Sequence, residues 1–255
     1  MRKPLTMVSL AALVALAPSW IAAQDGAEAT VSRSYNLGGF DNVSVIGPHH
    51  VTISVGPSFS IRAEGPQQTF DDTEIEVEDG RLTIHPVEDD RWERRRRAGG
   101  DRGFWDDYRP ATFHITLPAL AAVSLIGGGD MRVDRVGRDE FSATVGGAGD
   151  LDVAVLRVED ARFTIAGGGD LVARGSARRS RVSVAGAGNL QAREVTSDEA
   201  SISIAGSGNV ALTVENDARI SMVGGGEVEI AGPARCSVSR MGGGRVRCGG
   251  DDVAG

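Results

Sequence analysis

Apolar and polar positions along this chain repeat with a step of 18 to 20 residues. The pieces are SLIGGGDMRV, TVGGAGDLDV, TIAGGGDLVA, SVAGAGNLQA, SIAGSGNVAL, SMVGGGEVEI and SRMGGGRVRC. Four residues before the first glycine of each G-x-G stand Val123, Ala143, Phe163, Val182, Ile202, Ile220 and Val238, and two before it Leu125, Val145, Ile165, Val184, Ile204, Met222 and Arg240. The residue between them is always Ser or Thr, from Ser124 to Ser239. Apolar, hydroxyl, apolar is the period of a strand with one buried face. After the corner the alternation resumes, with Met131 and Val133 in the first copy and Val246 and Cys248 in the last. Each copy therefore predicts a strand, a tight glycine corner, a second strand and a looser return. A single copy cannot bury its apolar face, whereas stacked copies can.

A meander of hairpins would need a turn signal after every strand, but the returns carry no Asn-Gly or Asp-Gly. One tight corner per repeat predicts an all-β, single-stranded parallel β-helix (a β-solenoid) with coils of about 18–20 residues, whose equivalent positions stack about 4.8 Å apart. The regular coils span 121–249 within a solenoid domain expected over 37–249. FDNVSVIGPHHVTISVG, residues 40–56, reads as an eighth, degenerate coil with Gly-Pro-His in place of G-x-G. TEIEVEDGRLTIHP reads as two strands joined at Asp79-Gly80, and residues 111–118 as a strand leading into the regular coils. Residues 24–36 are expected to be a linker and 250–255 a tail.

Composition supports a thin core made many times over. Glycine supplies 35 of 255 residues and aromatics only 5%. The opening MRKPLTMVSLAALVALAPSWIAA has a positive start, a short apolar run and small residues at its end, which predicts a signal peptide over residues 1–23 and hence export to the periplasm or cell surface. Losing Arg2 and Lys3 with it would move the net charge from −8 to −10. An acidic chain disfavours nucleic acid, and no membrane span is expected in the mature chain. The least repetitive stretch, residues 88–110, is densely charged. Trp92, Arg94, Arg95, Arg96, Arg97, Phe104, Trp105 and Tyr108 make it the candidate partner-binding loop, because Arg beside Trp and Tyr is the chemistry of interface anchors.

The glycine corners invite catalytic readings that their context rejects. A dinucleotide fingerprint must open a helix, and here a strand follows at once. A phosphate-binding loop needs Gly-Lys, and Lys3 is the only lysine. Calcium is the serious rival, since Asp130, Asp150 and Asp170 should stack along one edge. Yet calcium rolls repeat every nine residues, Leu151 falls where their aspartate belongs, and the ladder decays into Asn189, Asn209, Glu227 and Arg245. An Asp or Asn that bonds its own turn explains the position without a metal. His49 and His50 are adjacent and point to opposite faces, and Asp150 with Asp152 is the one local acid pair, too little for a hydrolase. No catalytic residue, metal or cofactor is assigned. Cys236 and Cys248 lie symmetrically about Gly242, in slots that are inward-facing in the other coils, and in an exported chain they predict a disulfide across the last coil.

The ordered set FDNVSVIGPHHVTISVG, IEVEDGRLTIHP and ITLPALAAVSLIGGGD, followed by G-[GAS]-G-[DN] corners, resembles the putative auto-transporter adhesin, head GIN domain family over about residues 36–232. The resemblance implies a right-handed parallel β-helix in an exported bacterial protein, and it supplies no catalytic residues. The function expected is a non-enzymatic module of the bacterial cell envelope, adhesive, binding or structural. Its partner would be an unidentified glycan or envelope protein, with self-association through the solenoid ends also open to it. The alternative is a carbohydrate-active or calcium-binding β-helix protein.

Overall fold

The computed structural model of the chain describes residues 30–87 and 109–253. Its elements are β1 (Thr30–Tyr35), β2 (Asn42–Ile46), β3 (His50–Val55), β4 (Ser60–Pro66), α1 (Gln67–Asp71), β5 (Thr73–Glu78), β6 (Arg81–Pro86), β7 (Thr112–Leu117), β8 (Ala122–Gly127) and β9 (Asp130–Val133). Long strands then follow: β10 (Val136–Gly147), and then four that each run one circuit from corner to corner, β11 (Asp150–Gly167), β12 (Asp170–Gly186), β13 (Asn189–Gly206) and β14 (Asn209–Gly224). The chain closes with β15 (Glu227–Ala231), β16 (Arg235–Met241), β17 (Arg245–Cys248) and β18 (Asp251–Asp252). The coils stack in parallel into a β-solenoid of about six turns, as the period predicts. Each coil contributes to a leading sheet that runs into the glycine corner, a trailing sheet that leaves it, and a return sheet.

The stacking follows the repeat residue by residue. In the leading sheet Val123, Ala143, Phe163, Val182, Ile202, Ile220 and Val238 lie in register, as do Leu125, Val145, Ile165, Val184, Ile204, Met222 and Arg240. From Val123 to Met222 both rows are buried. Burying a large aliphatic side chain contributes about 1.5–3 kcal/mol, so each coil is held by its neighbours rather than by itself. Ser180 and Ser197, both buried, satisfy each other through hydroxyls 2.7 Å apart.

The corner explains its own sequence. Gly167 has φ +134°, and a Cβ there would collide with the Gly147 carbonyl of the coil below. A Cβ on Gly169 would collide with the Gly149 carbonyl and with Val145. One on Gly168 would meet nothing within 4 Å. Hence G-x-G: two positions are closed by the neighbouring coil and the middle one is open.

The N-terminal third departs from a simple stack. The 40–56 coil is present, but β2 and β3 lie between two coils: β8 and β9 on one side, β6 and β7 on the other. The chain thus lays down its second coil, makes an excursion, and places part of that excursion beneath it. β5 and β6 form the antiparallel hairpin with Asp79 (φ 48°) and Gly80 (φ 75°) at its tip. β4 pairs antiparallel with β7 and β1 with β4, closing this end over Ile61, Ala63 and Phe70. Two sequence expectations are corrected here. Residues 24–36 are not all linker, because Thr30–Tyr35 is the edge strand β1. Residues 250–255 are not all tail, because Asp251–Asp252 pairs antiparallel with β17. In both places polar, weakly patterned residues are recruited by an edge that would otherwise be unpaired. At the far end Arg240 occupies a core row and donates to the Gly244 carbonyl at 2.8 Å.

Candidate functional site

Outward positions of the leading sheet form three columns. The first holds Ala122, Ser142, Arg162, Arg181, Ser201, Arg219 and Ser237. Next to it runs the hydroxyl column from Ser124 to Ser239. Beside the corner runs a small or aliphatic column that includes Ile126, Gly146, Ala166, Ala185, Ala205, Val223 and Met241. Ile126, Val223 and Met241 are three of the five large apolar residues that are most exposed among those described. The middle corner residues, sterically unconstrained at Gly128, Gly168 and Gly243, are never larger than Ser in the regular coils. The result is a flat, smooth face with hydroxyls at regular spacing.

On the other side of the corner the side chains are tied to one another. The Asp ladder extends further than its sequence signature: His50 stacks on Asp130 with Nδ1 2.9 Å from Oδ2. Asp150 accepts from the Asp170 amide, and Asp170 accepts from the Asn189 amide and side chain. Asn209 donates to Asn189, and Asn209 in turn accepts from the Glu227 amide. These carboxylates and amides stitch one coil to the next. Asp152, half of the local acid pair, is held by Arg174 at 2.7 Å, and Arg174 also faces Glu194 at 3.8 Å. Arg193 pairs with Glu229, and Arg247 with Glu227 at 3.4 Å. Among the described residues no group of three or more His, Cys, Asp or Glu side chains is gathered to hold a metal ion.

Where the leading sheet meets the return sheet there is a pocket of about 320 Å³, lined by Glu140, Ser142, Asp160, Arg162, Arg179 and Arg181 over the backs of Ala121, Phe141 and Ala161. Arg179 grips Asp160 with both Nε, at 2.6 Å, and Nη2. These hydrogen bonds, helped by the charges of Arg179, Arg181 and Arg178, hold the Asp160 carboxyl below the usual carboxylate range against a smaller opposing effect of burial. Arg181 reaches Asp160 only at 3.8 Å. The sequence reading missed this cluster. The signal was available in the outward column five residues ahead of each corner, where Arg162 and Arg181 fall on successive coils.

The two histidines separate as adjacent strand residues must. His50 faces out, while His49 is fully buried, edge-on to Phe113 at 5.2 Å between ring centres, with Nδ1 accepting from the Ala111 amide at 3.3 Å. Burial, with the nearby His50 charge, pushes His49 down to about 4. Cys236 and Cys248 are joined in a disulfide with Cα atoms 6.4 Å apart, as their inward slots predict. Trp92, Arg94, Arg95, Arg96, Arg97, Phe104, Trp105 and Tyr108 lie outside the described residues, as does the leader at 1–23. Among the described residues no helix is long and apolar enough to cross a membrane.

Solved structures of the same fold exist. The chain is similar to a putative adhesin from Bacteroides fragilis, with TM-score 0.71 and 17% identity over 86% of this chain and 96% of that one. It is similar also to a putative adhesin from Parabacteroides merdae, with TM-score 0.65 and 17% identity over 87% and 96%. A putative lipid binding protein from Parabacteroides distasonis matches with TM-score 0.65 and 17% identity over 85% and 95%. At that identity the likeness establishes the fold. No curated protein matches the chain. The model of one family, the putative auto-transporter adhesin, head GIN domain, matches residues 39–234, which take in the 40–56 coil and every regular corner but the last, and the chain belongs to that family.

Proposed function

We propose that this chain is a non-enzymatic binding module of the bacterial envelope or cell surface, exported by the leader at 1–23, and that the leading face is what it presents to its partner. The observation that carries this reading is the contrast across the corner. Most polar trailing-face side chains are committed to hydrogen bonds and ion pairs with neighbouring coils. Within the three leading-face columns from Ala122 onward, the one ion pair made by a column residue among the described residues is the 3.8 Å approach of Arg181 to Asp160, while Asp160–Arg179 and Asp217–Arg235 pair in the row at their margin. Hydroxyls and guanidinium groups left uncommitted on a flat surface are free to bond a partner, and a flat repeated array suits a partner that is itself extended or repeated. The names carried by the structural relatives, adhesin and lipid binding protein, are binding functions rather than catalytic ones. The arginine and aromatic residues of 88–110 are a second contact surface in this reading. Self-association through the ends is the weaker part of it, because Arg240 in the last core row and the caps at both ends oppose edge pairing.

A pull-down from envelope extract and a glycan array, run with the parent chain and three variants, test the reading. Ser183→Tyr and Ala185→Tyr, which raise a ridge on the leading face, should abolish capture, whereas Gln191→Tyr on the trailing face should not. Full capture by both leading-face variants would overturn the assignment of that face. Loss of capture only on deleting 88–110 would move the site to the loop.

A further inference from the structure

Resting on that reading, the structure assigns a ligand class to one part of the leading face: we propose that the pocket at Arg162 and Arg181 is a subsite for a carboxylate-bearing sugar, such as a uronic acid residue of an acidic glycan. Three observations converge on it. Arg162 and Arg181 occupy register-matched positions on successive coils, so their backbones are about 4.8 Å apart and their guanidinium groups can share one anion. Neither is neutralised: Arg162 makes no ion pair among the described residues, and the one carboxylate that Arg181 approaches is already gripped by Arg179. With Glu140 and Asp160 set against Arg162, Arg179 and Arg181, the pocket carries a net positive charge on a chain whose net charge is −8.

The rest of the lining selects among anions. At about 320 Å³ the pocket falls within the size range of small-molecule sites. Ser142 in its wall and Thr144, Thr164 and Ser183 in the adjoining column can donate to and accept from ring hydroxyls. Glu140 and Asp160 offer acceptors for hydroxyl donors, and the same two acids would repel a multiply charged phosphate. A singly charged, hydroxyl-rich ligand suits both features. None of the outward columns of the leading face from Ala122 to Met241 carries an aromatic ring. Neutral sugars, which are commonly held by stacking on such rings, have no platform here. Charge and hydrogen bonding are what the surface offers.

The test is calorimetric titration of the full chain with trisaccharides of galacturonate, mannuronate and a glucuronate-containing fragment, each beside its carboxyl-reduced counterpart. At least one acidic trisaccharide should bind, its reduced form should not, and binding should weaken as salt rises from about 0.1 M to about 1 M. The double variant Arg162→Gln, Arg181→Gln should weaken binding by about tenfold or more. Arg219→Gln, two coils along the same column, should leave it unchanged. Circular dichroism and thermal melts of these exposed-site variants report whether the fold is kept. Absence of binding by all three acidic probes, equal binding of the reduced forms, or an unaltered affinity in the double variant would each overturn the proposal. Envelope capture that is lost with Ser183→Tyr but kept in the double variant would sink this subsite while leaving the binding role of the face intact.

Discussion

The leading and trailing faces are built from the same backbone repeat, on either side of the same glycine corner, yet their polar side chains are arranged differently. On the trailing face the polar residues bond along the stack. His50 meets Asp130, Asp170 receives Asn189, Asn189 receives Asn209, and Arg174 spans Asp152 and Glu194. On the leading face Ser and Thr stand at matched positions in every coil without a charged partner among them. Exposed ion pairs contribute only about 0–1 kcal/mol each. The trailing face is therefore less a source of stability than a surface already satisfied. A solenoid is held together by its inner rows, which leaves each outer face free to be either satisfied or available.

The corner that divides the two faces is where the largest effect is expected. Gly169→Ala drives a methyl group into the backbone of the coil below and should destabilise by about 3–4 kcal/mol, seen as a lower urea midpoint, whereas Gly168→Ala should change stability by less than about 0.5 kcal/mol. Equal effects would remove the steric account of G-x-G. Acid should expose the next difference, at the first corner, where His49 belongs to the core and His50 to the trailing face. His49 titrates at about 4 in the folded chain against 6.5 as a free side chain, so the folded state binds fewer protons between those values. Its contribution is complete above pH 6.5 and is lost as pH falls towards 4, amounting to about 3 kcal/mol. Denaturation midpoints at stepped pH should show this slope in the parent and in His50→Ala but not in His49→Leu. Smaller again, Asn189→Ala removes one side-chain hydrogen bond to Asp170 and one from Asn209 and should lose about 1 kcal/mol. Smallest, Ser183→Ala on the leading face should alter stability by less than about 0.5 kcal/mol. A loss in Ser183→Ala as large as in Asn189→Ala, measured by chemical denaturation, would erase the contrast between the faces.

The regular coils were legible because each coil's neighbour is one repeat away in sequence. The row Ala143, Phe163, Val182 can be written from spacing alone and is the row that stacks. The same arithmetic placed Cys236 opposite Cys248. The excursion between β3 and β8 has no repeat to count. That β6 and β7 would slide beneath β2 and β3 depended on which edges stayed unpaired, and β1 and β18 were drawn in the same way from segments read as linker and tail. His49 illustrates the limit: adjacency predicted that it would face opposite to His50, but its burial against Phe113 required the coil that folds back below it. Arg162, Arg181 and Asp160 were equally visible as letters. The repeat sets Asp160 beside Arg179 and Arg162 beside Arg181, but which guanidinium took the carboxylate and which stayed uncommitted was decided by side-chain packing.

The sequence by itself determined the solenoid, its step, its inner rows, its glycine corners and its disulfide. Those follow from which residues face inward and from where a Cβ can fit, both set within one coil and its neighbour. Only the tertiary structure decided the order of the first coils, the closure of the two ends, and which outward groups were tied to a neighbour and which were left without one. Those depend on side chains from different coils and sheets meeting at about 3 Å, a distance fixed by packing rather than by spacing along the chain.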